Sequence, residues 1–149
     1  MSLLPGNIMT KAGKLNRFER SQLEQHPFLG FELISRMQNW QETSMMIAQH
    51  HEREDGLGYP NQLRGEDICK GAKIIAILDA FFAMIKPRAD RPRRRSIMRA
   101  VAEINACVGT QFSPFWVNHF NAAIKSDMKE GLLLQIAMEE PSSKDAIQN

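Results

Sequence analysis

Cysteine is almost absent from this 149-residue chain. Cys69 and Cys107 have no CxxC partners and cannot build a disulfide framework, which excludes the disulfide-stapled secreted class and favours a reducing cytosol. Met1 to Asn7 carries neither a basic start nor an apolar run, so no secretory signal is read there. Long hydrophobic runs are lacking too. The longest, residues 74–85, is twelve residues interrupted by Asp79, against the roughly 20 needed to span a bilayer. Excess charge of one sign is also missing: the net charge is +2, so nothing global demands a nucleic acid partner. No strand-like alternation and no internal repeat is found. What remains is 43% hydrophobic, enough for one domain with a real core.

The punctuation is helical throughout. Asn16 followed by Glu19 predicts a capping box that opens a helix over about 16–25. Pro27 suits the first turn of a second helix, whose apolar stripe is Phe28, Phe31, Leu33, Ile34 and Met37. A third covers about 40–50. The glycines and proline of 52–65 mark a loop. Glu66 and Asp67 complement the positive end of the next helix, which is expected to reach Ile85 and stop at Pro87. A basic, proline-punctuated connector over 86–95 precedes a helix over about 96–107 with Gly109 as its cap. Ser113 and Pro114 open a last helix through Ile124. The domain is therefore placed at 1–125, with a C-terminal extension at 126–149 that frays from about 141.

Chemistry concentrates in the histidines. Imidazole is a good ligand for iron, manganese or zinc, but several must converge to hold an ion. A lone histidine, such as His119, is more often a hydrogen-bonded or surface ring. His50 and His51 lie at a helix end, where neighbouring side chains otherwise about 100° apart can turn toward one centre. Asp79 is the only polar side chain in 74–85, among Ile75, Leu78, Phe81 and Phe82. On a buried helix it requires a metal, a cation or a hydrogen-bond network, because an unpaired buried carboxylate costs several kcal/mol.

The segment His50-His51-Glu52-Arg53-Glu54-Asp55-Gly56-Leu57-Gly58-Tyr59-Pro60 resembles the HHExxDGxGYP signature of the HD-GYP family at every fixed position. His26-Pro27-Phe28-Leu29-Gly30 is similar to that family's HPxxG motif, and residues 77–84 to its VADxFDAL pattern, with Phe82 in place of the second aspartate. Residues 4–15 resemble IPxxILxKPGxLT, and Arg91-Pro92-Arg93-Arg94 resembles RPYR with arginine for tyrosine. The family comprises metal-dependent phosphodiesterases that open bacterial cyclic dinucleotides, chiefly cyclic di-GMP. The resemblance implies an all-α helical bundle of the HD-domain type. It also implies His26, His50, His51 and Asp79 as metal ligands and Glu52 and Asp55 as their supports. By the same resemblance, Gly56, Gly58, Tyr59 and Pro60 are expected to form a loop that meets protein partners of the diguanylate-cyclase type, and Arg91 and Arg94 to meet substrate phosphates. The cofactor implied is iron or manganese.

The His-Asp dipeptide of the family's HDxGK motif occurs nowhere in the chain. Residues 4–15 match what normally follows it, so a bundle missing its N-terminal helices is expected. In such enzymes that aspartate bridges two metals. The first reading is then a degenerate member that holds one ion and turns over little. The second is an active phosphodiesterase whose His-Asp pair comes from upstream sequence or a partner chain. Apolar surface left uncovered would favour a homo-oligomer or a partner.

Overall fold

A computed structural model describes residues 11, 13–14, 16–86 and 95–130 of the chain. The described residues form six α-helices: α1 (Arg17–Glu24), α2 (His26–Ile34), α3 (Gln41–Gln49), α4 (Lys70–Ile85), α5 (Ile97–Ala106) and α6 (Pro114–Glu130). No strand is present among them, only an isolated bridge between Val108 and Phe112. The all-α expectation holds. The arginines Arg91 and Arg94, the first ten residues and the tail from 131 lie outside the described residues.

The caps explain most boundaries. Asn16 accepts from the Glu19 amide at 2.8 Å while the Glu19 carboxylate accepts from the Asn16 amide at 2.8 Å, so the capping box is complete. Ser96 caps α5 by accepting from the Arg99 amide. Three boundaries differ from expectation. Glu66 and Asp67 sit in a 3-10 turn, Gly65–Asp67, and α4 starts only at Lys70. The reason is Gln49: buried at the end of α3, its side-chain oxygen accepts from the Cys69 amide at 2.8 Å and so caps α4 from a neighbouring helix. At the far end α6 runs on to Glu130 instead of stopping at Ile124, since no glycine or proline interrupts it. Gly109, at φ +77°, lies two residues beyond the capping position of α5, which Cys107 occupies.

Helix α4 is central. It packs on α3 on one side and on α5 and α6 on the other, while α2 packs on α3. Its face of Ile77, Phe81 and Ile85 forms one core with Ala100 and Ile104 of α5 and with Val117, Phe120 and Ile124 of α6. Phe81 meets Phe120 edge to face at 5.2 Å, the arrangement favoured by aromatic quadrupoles. Helices α2 and α3 approach so closely that a Cβ at Gly30 would lie 2.6 Å from Ile47 Cγ2. That closeness brings the start of α2, with His26, beside the end of α3, with His50.

Candidate metal centre

Three imidazoles converge. His26 opens α2, and His50 and His51 directly follow α3. Their ligand nitrogens all lie within 4.8 Å of one another. His26 Nε2 is 3.3 Å from His50 Nε2 and 3.0 Å from His51 Nε2. Two nitrogens each about 2.1 Å from one ion stand roughly 3.0 Å apart at a right angle and roughly 3.4 Å apart at a tetrahedral angle. The observed spacings fall in that window.

The second nitrogens fix the tautomers. His50 Nδ1 donates to the Ile47 carbonyl at 2.7 Å, and His26 Nδ1 donates to the Leu23 carbonyl. A carbonyl only accepts, so both protons sit on Nδ1 and both Nε2 atoms present lone pairs to each other. Facing lone pairs repel unless a cation lies between them. Backbone carbonyls on Nδ1 are also the usual means of orienting metal-bound histidines. The donor set thus fits a divalent metal.

Electrostatics agree. Burial pushes His51 down to about 3, with the neighbouring His50 and His26 rings adding to the effect. His50 is lowered chiefly by burial, against a raising influence of its Ile47 bond and of Asp79. Neutral rings are ready to bind metal without first losing a proton.

The loop after the histidines is built to hold them. Glu52 is 4% exposed, and its carboxylate accepts from the Asn61 amide at 2.6 Å and the Leu63 amide at 3.0 Å, closing the loop on itself. Asp55 takes a two-pronged contact from Arg53 at 2.9 and 2.6 Å, which with the Leu57 amide lowers it to about 2. Its backbone amide reaches the Thr110 carbonyl at 2.9 Å, tying the loop to the α5–α6 connection. A Cβ at Gly58 would sit 2.6 Å from the His51 carbonyl and the Glu52 Cα, so only glycine lets the chain fold back this tightly. The return stacks Tyr59 on His51, with centroids 4.8 Å apart and planes 24° apart. The Tyr59–Pro60 peptide is cis, and Gly56 has φ +73°. Burial pushes the Tyr59 hydroxyl up to about 12, with Glu24 and Asp79 adding to it and Arg20 opposing.

Asp79 is the correction. It was expected to be buried, and it is exposed. Its apolar neighbours in sequence flank it without covering it: Leu78, beside it, is itself 40% exposed. Asp79 does line the same hollow as His50 and His51, but it is not part of the converging set.

Some supports escaped the sequence reading. Lys73 and Glu54 form an ion pair at 3.1 Å, with side chains only 8% and 15% exposed, that joins the loop to α4 without hydrogen-bond geometry. A lysine one residue before the apolar run was the available signal. Gln49 gave none, since polar helix ends are common.

Comparison with known proteins places these features. Residues 1–114 match the family model described as HD domain. The chain is 36% identical over 113 residues to the cyclic di-GMP phosphodiesterase response regulator RpfG of Xanthomonas campestris, covering 74% of this chain and 30% of that protein. It is 32% identical over 126 residues to a cyclic di-GMP phosphodiesterase of Vibrio cholerae, covering 80% and 25%. The chain therefore spans about a third or less of these relatives. A Vibrio cholerae cyclic GMP-AMP specific phosphodiesterase crystal structure shares the fold, with TM-score 0.62 at 18% identity, over 91% of this chain and 36% of that one.

Proposed function

Because the chain belongs to the HD-domain family, we propose that it is an HD-GYP-type, cyclic di-GMP phosphodiesterase-like domain of bacterial second-messenger signalling that turns over little substrate with the residues it has. The convergence of three Nε2 atoms within metal-bridging distance carries this reading. His26, His50 and His51 would hold one divalent ion, iron or manganese, and Asp79, which lines the same hollow as His50 and His51, would serve a second. Such an ion supplies positive charge to a phosphodiester oxygen and acidifies water. The chain's own contribution is positional. Glu52 and Asp55 hold the loop, Tyr59 walls the histidines, and Arg91 and Arg94 offer guanidinium forks to phosphate. The loop tip, where Leu57 is 75% exposed, is the surface offered to a signalling protein.

No described helix is long and apolar enough to cross a membrane, and two free cysteines accord with a bacterial cytoplasm. The His-Asp pair that would bridge two metals is absent from the sequence. Losing the bridge and one ion removes about 6 kcal/mol of transition-state stabilisation, more than 10⁴-fold in rate. The manganese-loaded chain is therefore expected to bind cyclic di-GMP and to linearise it negligibly. Turnover on the order of 1 per second, abolished by His51→Ala, would refute the degenerate reading. An exposed Asp79 on the wall of the histidine hollow favours one alternative, an active phosphodiesterase completed by a His-Asp pair from another segment or chain.

A further inference from the structure

The hollow that holds His50 and His51 does not end at Tyr59. Arg20 and Tyr59 line it and also line a second hollow of about 370 Å³, whose other walls are Lys14, Leu23 and Glu24. Tyr59 and the largely exposed Arg20 side chain are therefore a wall common to both spaces. The second has two cations against one acid over a leucine floor.

The two arginines that line the histidine hollow differ in what they have left to give. Arg53 is already engaged by a carboxylate on two sides: its Nε and Nη2 donate to the two oxygens of Asp55. Arg20 donates only through Nε, to Glu24 Oε1 at 2.9 Å. Neither of its Nη groups makes a hydrogen bond among the described residues. The Glu24 bond, one turn along α1, also restrains the guanidinium at the junction, so less freedom is lost when an anion binds.

We propose that the Lys14–Arg20 hollow is a second anionic subsite, which takes the other phosphate of a two-phosphate ligand whose first phosphodiester lies at the histidines. The inference rests on the reading of those histidines as a phosphodiester site and extends it. A ligand with a single phosphodiester fills the first hollow alone. One with two phosphates is held at both, with Tyr59 between them, and gains charge-assisted hydrogen bonds from the Arg20 fork. Glu24 limits the site to one net positive charge, so it suits a phosphodiester better than a doubly charged terminal phosphate.

The test is calorimetric binding of cyclic di-GMP, with two phosphodiesters, and of cyclic GMP, with one, to the full manganese-loaded chain. Arg20→Ala is expected to weaken cyclic di-GMP by about 10-fold or more and to weaken cyclic GMP far less. Arg20→Lys restores part of the loss, because it returns the charge without the fork. Manganese retained by Arg20→Ala shows that the histidine site is still assembled. Equal affinity of wild type and Arg20→Ala for cyclic di-GMP overturns the subsite and leaves the histidine reading standing. An equal loss for both ligands also overturns it, by placing Arg20 at the first phosphate. Failure of the wild type to bind either ligand overturns the histidine reading and the subsite with it.

Discussion

Replacing Glu52 by glutamine exchanges one atom and dismantles the brace behind the histidines. The carboxylate is buried and accepts from two backbone amides, Asn61 at 2.6 Å and Leu63 at 3.0 Å. Glutamine keeps one accepting oxygen and turns an NH₂ toward the other amide, so one bond is lost and two donors face each other. A hydrogen bond to a charged acceptor contributes about 1.5–3 kcal/mol, and an unsatisfied buried donor costs about 1–3 kcal/mol. The expected loss is about 3–5 kcal/mol, a large share of the roughly 5–15 kcal/mol that holds a domain of this size together. Because Glu52 adjoins His51 and closes the loop that carries Tyr59, manganese affinity should fall by about 10-fold or more as well. Urea unfolding of the metal-free chain and metal titration of the folded variant measure the two effects separately. A variant within about 0.5 kcal/mol of wild type, with unchanged metal affinity, would show that the brace does not hold the loop.

Gly58→Ala places a Cβ against backbone atoms at 2.6 Å, which cannot rotate away, so the loop must open. Loss of the Tyr59–His51 stack should appear as greater quencher access to the single tyrosine, and unchanged access would count against the tight return. The metal-free chain should also lose stability on acidification. His51 is held at about 3 against 6.5 when unfolded, and His50 is lowered in the same direction. Between those values the unfolded state binds protons that the folded state refuses, so stability falls as pH drops below about 6.5. The slope should reach at most about 1.36 kcal/mol per pH unit for each ring. Bound metal should deepen the acid dependence by adding proton competition, and a flat profile from pH 7 to 4 without metal would contradict the burial of these rings.

Much of this was legible in the sequence for a physical reason: helix starts are local. Asn16 with Glu19 and Ser96 with Arg99 satisfy their own backbones within four residues, so a short window contains the whole interaction. The three histidines were legible because their motifs are local too, although their meeting depends on the close contact at Gly30. What escaped depends on distant partners. Gln49 caps α4 from twenty residues away, and Glu54 pairs with Lys73 across the loop. Asp79 was misjudged because hydrophobic neighbours along a helix establish only what flanks a residue, whereas burial requires another element to cover it.

Anaerobic reconstitution with manganese or iron(II), followed by desalting and elemental analysis, tests the histidine centre most directly. The wild-type chain should retain about one ion, and His50→Ala, which removes one of the three converging imidazoles, should retain almost none. A wild type that emerges without metal, or a His50→Ala variant that keeps a full equivalent, would mean that the three converging imidazoles are not a metal site.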